Sequence, residues 1–399
     1  MRIFFVCQRV PYPPDRGDRI ATLNEIRHLA RRHEVHVFCL SDGERDRESI
    51  AALEGVVRSV TAVPLHPLAG NLRAARALID GRPLSVAMLD EPALHAEIRS
   101  RYAELRPDLI IVYSCNMAPF ADTFAASPRI MQFSDLDSLK WAQYAETARL
   151  PMRWVYRIET RRLLDYEIAA AHAYDHATVC TDIEKRDFER LIPGVPVSLV
   201  GNGVDLDYFR SQGAAKTPGT IVFTGVMDYV PNVDGVRWFC DAILPLIRRR
   251  VPGARFVICG SSPAPDVRAL VERTGVVVTG RVPDVRPYLD SAEVCVVPLR
   301  IARGIQNKLL EAMAMGLPCV TTSVAWRGTT IRDGDGLVVA DDAEAFADAV
   351  VRLAQDAGLR AGLGRKARAA VEADYTWDIQ MGRLDRVIET VMGRPGAAR

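Results

Sequence analysis

Lys308 and Glu311 stand three residues apart, directly after a glycine turn, Arg303-Gly304-Ile305, and inside a helix-type run. A cation, a carboxylate and a glycine loop ahead of a helix suit an anion with a sugar attached. Unpaired N–H groups at a helix start carry roughly half a positive charge, and phosphates settle there. Lys308 adds a point charge for a phosphate oxygen. Helical side chains lean back toward the N-terminus, so Glu311 on the second turn can aim its carboxylate beside the anion. A diphosphate at Gly304, Ile305, Gln306, Asn307 and Lys308, with a ribose hydroxyl on Glu311, meets both demands. The plainer alternative is an i,i+3 ion pair on a solvated helix.

The elements that must position these residues can be read on either side. Ala292–Val297 is a short apolar run of buried-strand type. The helix is expected to begin at Gln306, with Leu309, Leu310 and Met313 as a narrow apolar stripe. Gly316 suits a left-handed cap, with Pro318 just beyond. The same alternation runs through the chain. Strands are expected at Arg2–Cys7, Val35–Leu40, Val56–Val63, Leu109–Tyr113, Ile130–Phe133, Ala177–Cys180 and Val197–Val200. They resume at Thr220–Phe223, Arg255–Cys259, Val276–Val278, Val294–Val297 and Cys319–Thr322. Helices are expected between them, near Arg19–Arg32 and Glu44–Leu53 among others. Repeated strand–helix alternation means parallel sheets covered on both faces, here an α/β protein of two doubly wound domains. The join is expected near Val200–Phe209 and the polar Ser211–Gly219, and the last few residues read as a frayed tail.

The bulk numbers exclude several classes. A chain of 399 residues with 49% hydrophobic and 25% charged residues is long enough for two or three cores. A net charge of +1 argues against nucleic acid as a partner. No apolar run approaches the roughly 18–20 residues of a membrane span, and Met1–Cys7 reads as a first strand, too short for a signal segment. The eight cysteines are scattered singly, which points to buried thiols in a reducing cytoplasm and no zinc site.

Asp135 and Asp137 follow a buried strand, where a parallel sheet places its site residues. Either could take a hydrogen bond from a substrate hydroxyl, or act as a base if its pKa were raised. The alternative is that one of them caps the helix beginning near Ser138. Ser138–Ala173 reads as a long helical stretch with Arg149, Arg153, Arg157, Arg161 and Arg162 among aromatic and aliphatic residues. With the amphipathic Leu68–Leu78 it could lie on an anionic membrane surface. A solvated face with pairs to Glu146, Glu159, Asp165 and Glu167 is the competing reading. No histidine has the spacing of a triad or a ligand set.

Several stretches together resemble the retaining glycosyltransferases of the GT-B fold, family four. They are Asn202-Gly-Val-Asp205 with Phe209, Phe223-Thr-Gly225 with Pro231-Asn232 and Trp238-Phe239, and Thr279-Gly-Arg-Val-Pro-Asp-Val285. To these add Gly304-x-x-x-Lys308-x-x-Glu311-Ala-Met-Ala-x-Gly316 and Tyr375-Thr-Trp377. A narrower likeness, to the sugar transferase associated with the PEP-CTERM/exosortase exopolysaccharide system, rests on four features. These are Pro13-x-x-x-Gly17-Asp-Arg19, Gln132–Ser138, the Arg-rich helix and Gly304–Lys308. The resemblance implies two Rossmann-like domains facing across a cleft, 1–203 and 204–375, with a closing helix in 376–399 packing back on the first.

It further implies sugar transfer from a nucleoside-diphosphate sugar, without metal or cofactor, to a lipid-linked or glycan acceptor, in a cytoplasmic enzyme peripheral to the inner membrane. Gly17, Gly225, Arg281, Val282, Arg303, Gly304–Asn307, Lys308 and Glu311 would hold the donor. Arg19 and Asp137 would lie on the acceptor or sugar side, and Asp135 near the transferred sugar. The chain departs from the family pattern at four places, the first being the Ser134-Asp135 neighbourhood where a histidine often follows the fifth strand of the first domain. Arg303 replaces the usual first glutamate, Val226-Met-Asp-Tyr229 lacks the usual cation, and Trp326-Arg327-Gly328 replaces Glu-Gly. Two rivals stay open on these grounds: a nucleotide-sugar 2-epimerase on the same fold, and a non-catalytic sugar-nucleotide scaffold.

Overall fold

Runs such as Ile3-Phe-Phe-Val-Cys7 and Leu109-Ile-Ile-Val112 are apolar on both faces, so each demands cover above and below. The computed structural model describes residues 1–393. The expected frayed tail and the last residues of the closing segment, 394–399, lie outside the described residues. The chain divides into two compact units, Met1–Gly201 with the chain from Met381 on, and Asn202–Gln380.

In the first unit the elements that matter run β1 (Arg2–Cys7), α1 (Gly17–Ala30), β2 (Glu34–Ser41), β3 (Ser59–Pro64), α2 (Pro67–Asp80) and α3 (Leu84–Leu89). They continue with β4 (Leu109–Tyr113), β5 (Arg129–Ser134), α4 (Asp137–Thr147), α5 (Met152–Ala173), β6 (His176–Val179), α6 (Asp182–Leu191) and β7 (Val197–Leu199). The strands make one parallel sheet in the order β3-β2-β1-β4-β5-β6-β7. Phe4, Phe38, Phe120 and Phe188 are buried on it.

The second unit runs β8 (Thr220–Thr224), α7 (Val230–Trp238), β9 (Arg255–Cys259), β10 (Val276–Gly280), β11 (Val294–Val297), α8 (Asn307–Ala314), β12 (Cys319–Thr321) and β13 (Leu337–Val339). Its sheet is also parallel, in the order β10-β9-β8-β11-β12-β13. In both sheets the strand order reverses beside the first strand, the kind of switch point where such sheets bind ligands. Two Rossmann-like α/β domains are therefore present. Helix α9 (Trp377–Met392) begins in the second unit and ends in the first. Within the first unit Asp385 on α9 takes His28 Nε2 at 2.9 Å and Arg32 Nη2 at 2.5 Å, both from α1.

The Arg-rich stretch differs from its sequence reading. It is two helices, α4 and α5, because Pro151 and the segment before it cannot continue a helix. Two of its acids, Glu159 and Glu167, are not surface partners of the arginines either. Glu159 is buried and accepts from the backbone N–H of Leu84 (2.6 Å) and Ser85 (2.9 Å), capping α3. Glu167, also buried, takes the N–H of Ser138 at 3.1 Å and its hydroxyl at 2.5 Å, capping α4. Arg162 serves the opposite pole, donating to the carbonyls of Ala77 (2.8 Å) and Leu78 (3.1 Å) at the end of α2.

Candidate functional site

The site assembles where β8, β9 and β11 end and α8 begins. Gln306 occupies the N-cap of α8, but its side chain caps nothing there. Instead its amide donates to the Arg303 carbonyl at 3.0 Å, bracing the turn in which Gly304 has φ +62°. The first amides of α8 are therefore left uncapped by that side chain. Asn307 Oδ1 accepts from Asn202 Nδ2 at 2.9 Å, and Ile305 packs on the core. Leu309, Leu310 and Met313 are buried as the stripe requires, and Gly316 ends the helix at φ +69°.

Lys308 and Glu311 are both half-buried, and no ion pair joins them, so the surface-pair alternative is not what forms. The Lys308 ammonium lies 5.6 Å from the Phe223 ring centroid and donates to Gln306 Oε1 at 3.4 Å. Lost solvation pushes the lysine down to about 8, against a smaller opposing pull from Glu311. The same loss pushes the Glu311 carboxyl up to about 7, with Lys308 opposing. A partly desolvated lysine with no carboxylate on it could favour an anion beside it.

Gly225 makes the facing wall. A Cβ there would sit 2.8 Å from Asn232 Nδ2 and 3.3 Å from Lys308 Cε. Asn232 is buried and donates to the Val226 carbonyl at 2.8 Å, while its Oδ1 and the nearby Thr224 hydroxyl have no partner among the described residues. After the edge strand β10, the turn of Arg281 and Val282 runs into Asp284, which accepts from Tyr208 at 3.4 Å. Arg286 stacks 3.9 Å over the Tyr208 ring. Burial and Asp284, and to a smaller extent the Glu311 charge, push the Tyr208 hydroxyl up. Arg281 is exposed and Val282 half-buried.

Two family models match the chain. The model described as Glycosyl transferase 4-like domain takes in residues 17–203, and that for Glycosyl transferases group 1 takes in 218–356. The chain is a glycosyltransferase of family four. It is 26% identical over 386 residues to the D-inositol 3-phosphate glycosyltransferase of Mycobacterium avium, covering 91% of this chain and 86% of that one. It is 29% identical to the phosphatidyl-myo-inositol mannosyltransferase of Mycolicibacterium smegmatis over 49% of this chain, and spans about half (52%) of that protein. Among solved structures, sucrose-phosphate synthase from Thermosynechococcus elongatus superposes with a TM-score of 0.75 at 16% identity, over 98% of this chain and 100% of that one. Anabaena HepE in complex with UDP gives 0.67 at 12% identity, over 98% and 100%. These structural likenesses speak for the fold.

In the first unit of the transferase, α4 starts at Asp137, but Glu167 caps it, so the capping alternative for the two aspartates does not hold. Asp137 instead accepts from Asn116 Nδ2 (3.2 Å) and Lys140 Nζ (3.4 Å). Asp135 is half-buried, and its charge with that of Asp137 adds to the burial that pushes Glu167 up to about 8. Gly17 is exposed at the start of α1, and Arg19 ion-pairs with Asp15 at 3.1 Å. Among the described residues no three His, Cys, Asp or Glu side chains converge as a metal set.

The structure adds residues that the sequence reading missed. A Cβ on Gly260 would overlap the Gly225 carbonyl oxygen, and one on Gly328 would overlap that of Gly304. Gly260 thus backs Gly225, and Gly328 backs Gly304. Gly328 had a signal, since it stands where the family has Glu-Gly. Gly260 had only its place after strand β9. Glu25 on α1 is buried, with burial pushing it up to about 8 against a hydrogen bond from Gln132 on β5.

The raised carboxyl of Glu311 has a consequence for stability. Between pH 4.5 and about 7 the folded transferase keeps a proton that the unfolded chain releases, so stability falls as pH rises through that window. Glu311→Gln is therefore expected to raise the melting temperature of the ligand-free protein at pH 7.5. Near pH 4 the two proteins should melt together. A variant that melts lower at pH 7.5 contradicts the assignment.

Proposed function

We propose that the protein is a retaining, metal-independent transferase that moves a sugar from a nucleoside-diphosphate donor to a lipid-linked glycan in exopolysaccharide synthesis. The observation that carries the reading is the partly desolvated Lys308 ammonium without a carboxylate, between the Gly225 wall and the uncapped start of α8. In this reading the diphosphate takes those amides and Lys308, and a ribose hydroxyl donates to Glu311. Arg281 and Val282 flank the base, while Gly17 and Arg303 support the donor. Asp135 and Asp137, at the carboxyl end of the first sheet, are assigned to sugar and acceptor hydroxyls.

As the bond from the anomeric carbon to phosphate breaks, negative charge gathers on the leaving diphosphate, where fixed dipoles and a cation act most strongly. The acceptor oxygen bonds to that carbon on the same face, and its proton passes to a donor phosphate oxygen. No enzyme base is needed. Similarity to phosphatidyl-myo-inositol mannosyltransferase and to a GDP-mannose-dependent mannosyltransferase supports a lipid acceptor and puts GDP sugars beside UDP sugars as candidates. A cytoplasmic enzyme peripheral to a membrane fits such an acceptor, and no helix among the described residues is long and apolar enough to cross one.

Thermal-shift measurements with UDP, GDP, ADP and TDP sugars test the donor assignment. A true donor at a hundred times its dissociation constant stabilises by about 2.7 kcal/mol. Affinity is expected to fall above about pH 8, where Lys308 must take up a proton to bind, and below about pH 7, where Glu311 must release one. No shift with any of the four would remove the reading. Release of an altered free sugar nucleotide without acceptor would favour the epimerase.

A further inference from the structure

Helix α2 is built inside out. Its docked face carries Gly70, Ala74 and Ala77, and a Cβ on Gly70 would lie 2.9 Å from the Met88 carbonyl of α3. The large aliphatic residues point the other way. Leu68, Leu72 and Ile79, with Ala75 between, fall on one helical stripe and are 81%, 73% and 91% exposed. A helix of a globular domain ordinarily turns such a stripe toward its core.

Helix α5 extends the patch. Trp154, Ile158 and Arg162 lie one turn apart on a single row. Arg162 is fastened to the last turn of α2, and Ile158 and the 60% exposed Trp154 stand one and two turns back from it along the row. Arg157 lies 6.0 Å over the Trp154 ring, and Arg76, Arg157 and Arg161 are exposed without an ion pair among the described residues. Of the exposed acids on this flank, Asp80 is paired with Arg82 at 3.5 Å, leaving Asp165 and Glu146.

We infer that this flank of the first unit docks on a membrane leaflet rich in anionic lipid. The inference deepens the proposed function, resting on its lipid-linked acceptor. Apolar residues with tryptophan in the acyl boundary and arginines at the headgroups match the layering of an interfacial helix. A second copy of the chain fits less well, because a two-fold interface would press the same basic rim against itself. Basic charge on both stripes also gives the surface attraction that one apolar helix lacks.

Flotation of the full chain with vesicles tests this, using phosphatidylglycerol mixed into phosphatidylcholine against pure phosphatidylcholine. The protein is expected to float with the anionic vesicles and to be released by salt. The double variant Leu72→Glu/Ile79→Glu should lose about tenfold or more in partitioning. Arg157→Glu/Arg161→Glu should abolish the preference for phosphatidylglycerol. Both pairs are exposed, so donor-induced thermal shifts should persist in both variants. That readout separates failure here from failure of the donor assignment. Vesicle binding equal to wild type in the Leu72/Ile79 variant would overturn the inference, as would a wild type that never floats. Light scattering that finds a dimer broken by the same variant would give the patch to a second copy, and overturn it too.

Discussion

Lys308→Met should slow sugar transfer by about 10²- to 10³-fold, the usual loss when one preorganised group is taken from a developing charge. Methionine fills nearly the same volume beside the Phe223 ring and Gly225 but brings no ammonium. The ligand-free protein should not lose stability, because lost solvation already opposes the charged lysine there. Glu311→Ala is expected to differ in kind, weakening donor binding more than it slows transfer, since a ribose contact is made before and during the reaction. Steady-state kinetics with the donor found by the thermal-shift panel separate the two. If Lys308→Met turns over at the wild-type rate, the diphosphate is held elsewhere.

Gly260→Ala should damage both stability and donor binding although residue 260 touches no donor group. Its Cβ would fall on the carbonyl oxygen of Gly225, and backbone offers no alternative rotamer to relieve the overlap. Destabilisation of about 3 kcal/mol or more is expected, at the upper end for a small added group. Donor affinity should drop by about tenfold or more as the Gly225 wall is pushed toward Lys308. Gly253→Ala is the control, since a Cβ there meets nothing within 4 Å and its φ is not left-handed. Urea unfolding of both variants, with donor titrations, reads the difference. A Gly260→Ala protein that unfolds and binds like the Gly253→Ala protein would show that the wall has room to move.

The pieces of the candidate site that spacing alone marks lie in one strand–loop–helix unit, whereas Gly17, Gly225, Arg281 and Val282 come only from the family resemblance. Gly304, Lys308, Glu311 and Gly316 are neighbours along the chain, and helical periodicity alone puts the first three around one helix mouth. The same local rule makes each apolar run a strand and each amphipathic run a helix. Their alternation then requires parallel sheets covered on both faces. Pro151 limited this reading, because the arginine-rich segment kept one composition across two helices.

Sequence by itself thus determined the α/β class, the two sheets and the residues of one helix mouth, because each depends on contacts within about one supersecondary unit. Tertiary structure alone decided what those elements press against. It set Gly260 behind Gly225 and Gly328 behind Gly304, joining residues from separate strand–helix units by backbone contact. It turned Glu159 and Glu167 from expected surface partners of arginine into buried caps on helices tens of residues away. It also chose the small-residue face of α2 for docking and left Leu72 and Ile79 outside. Periodicity states that a helix has two faces; only the neighbour that arrives from elsewhere in the chain decides which one is buried.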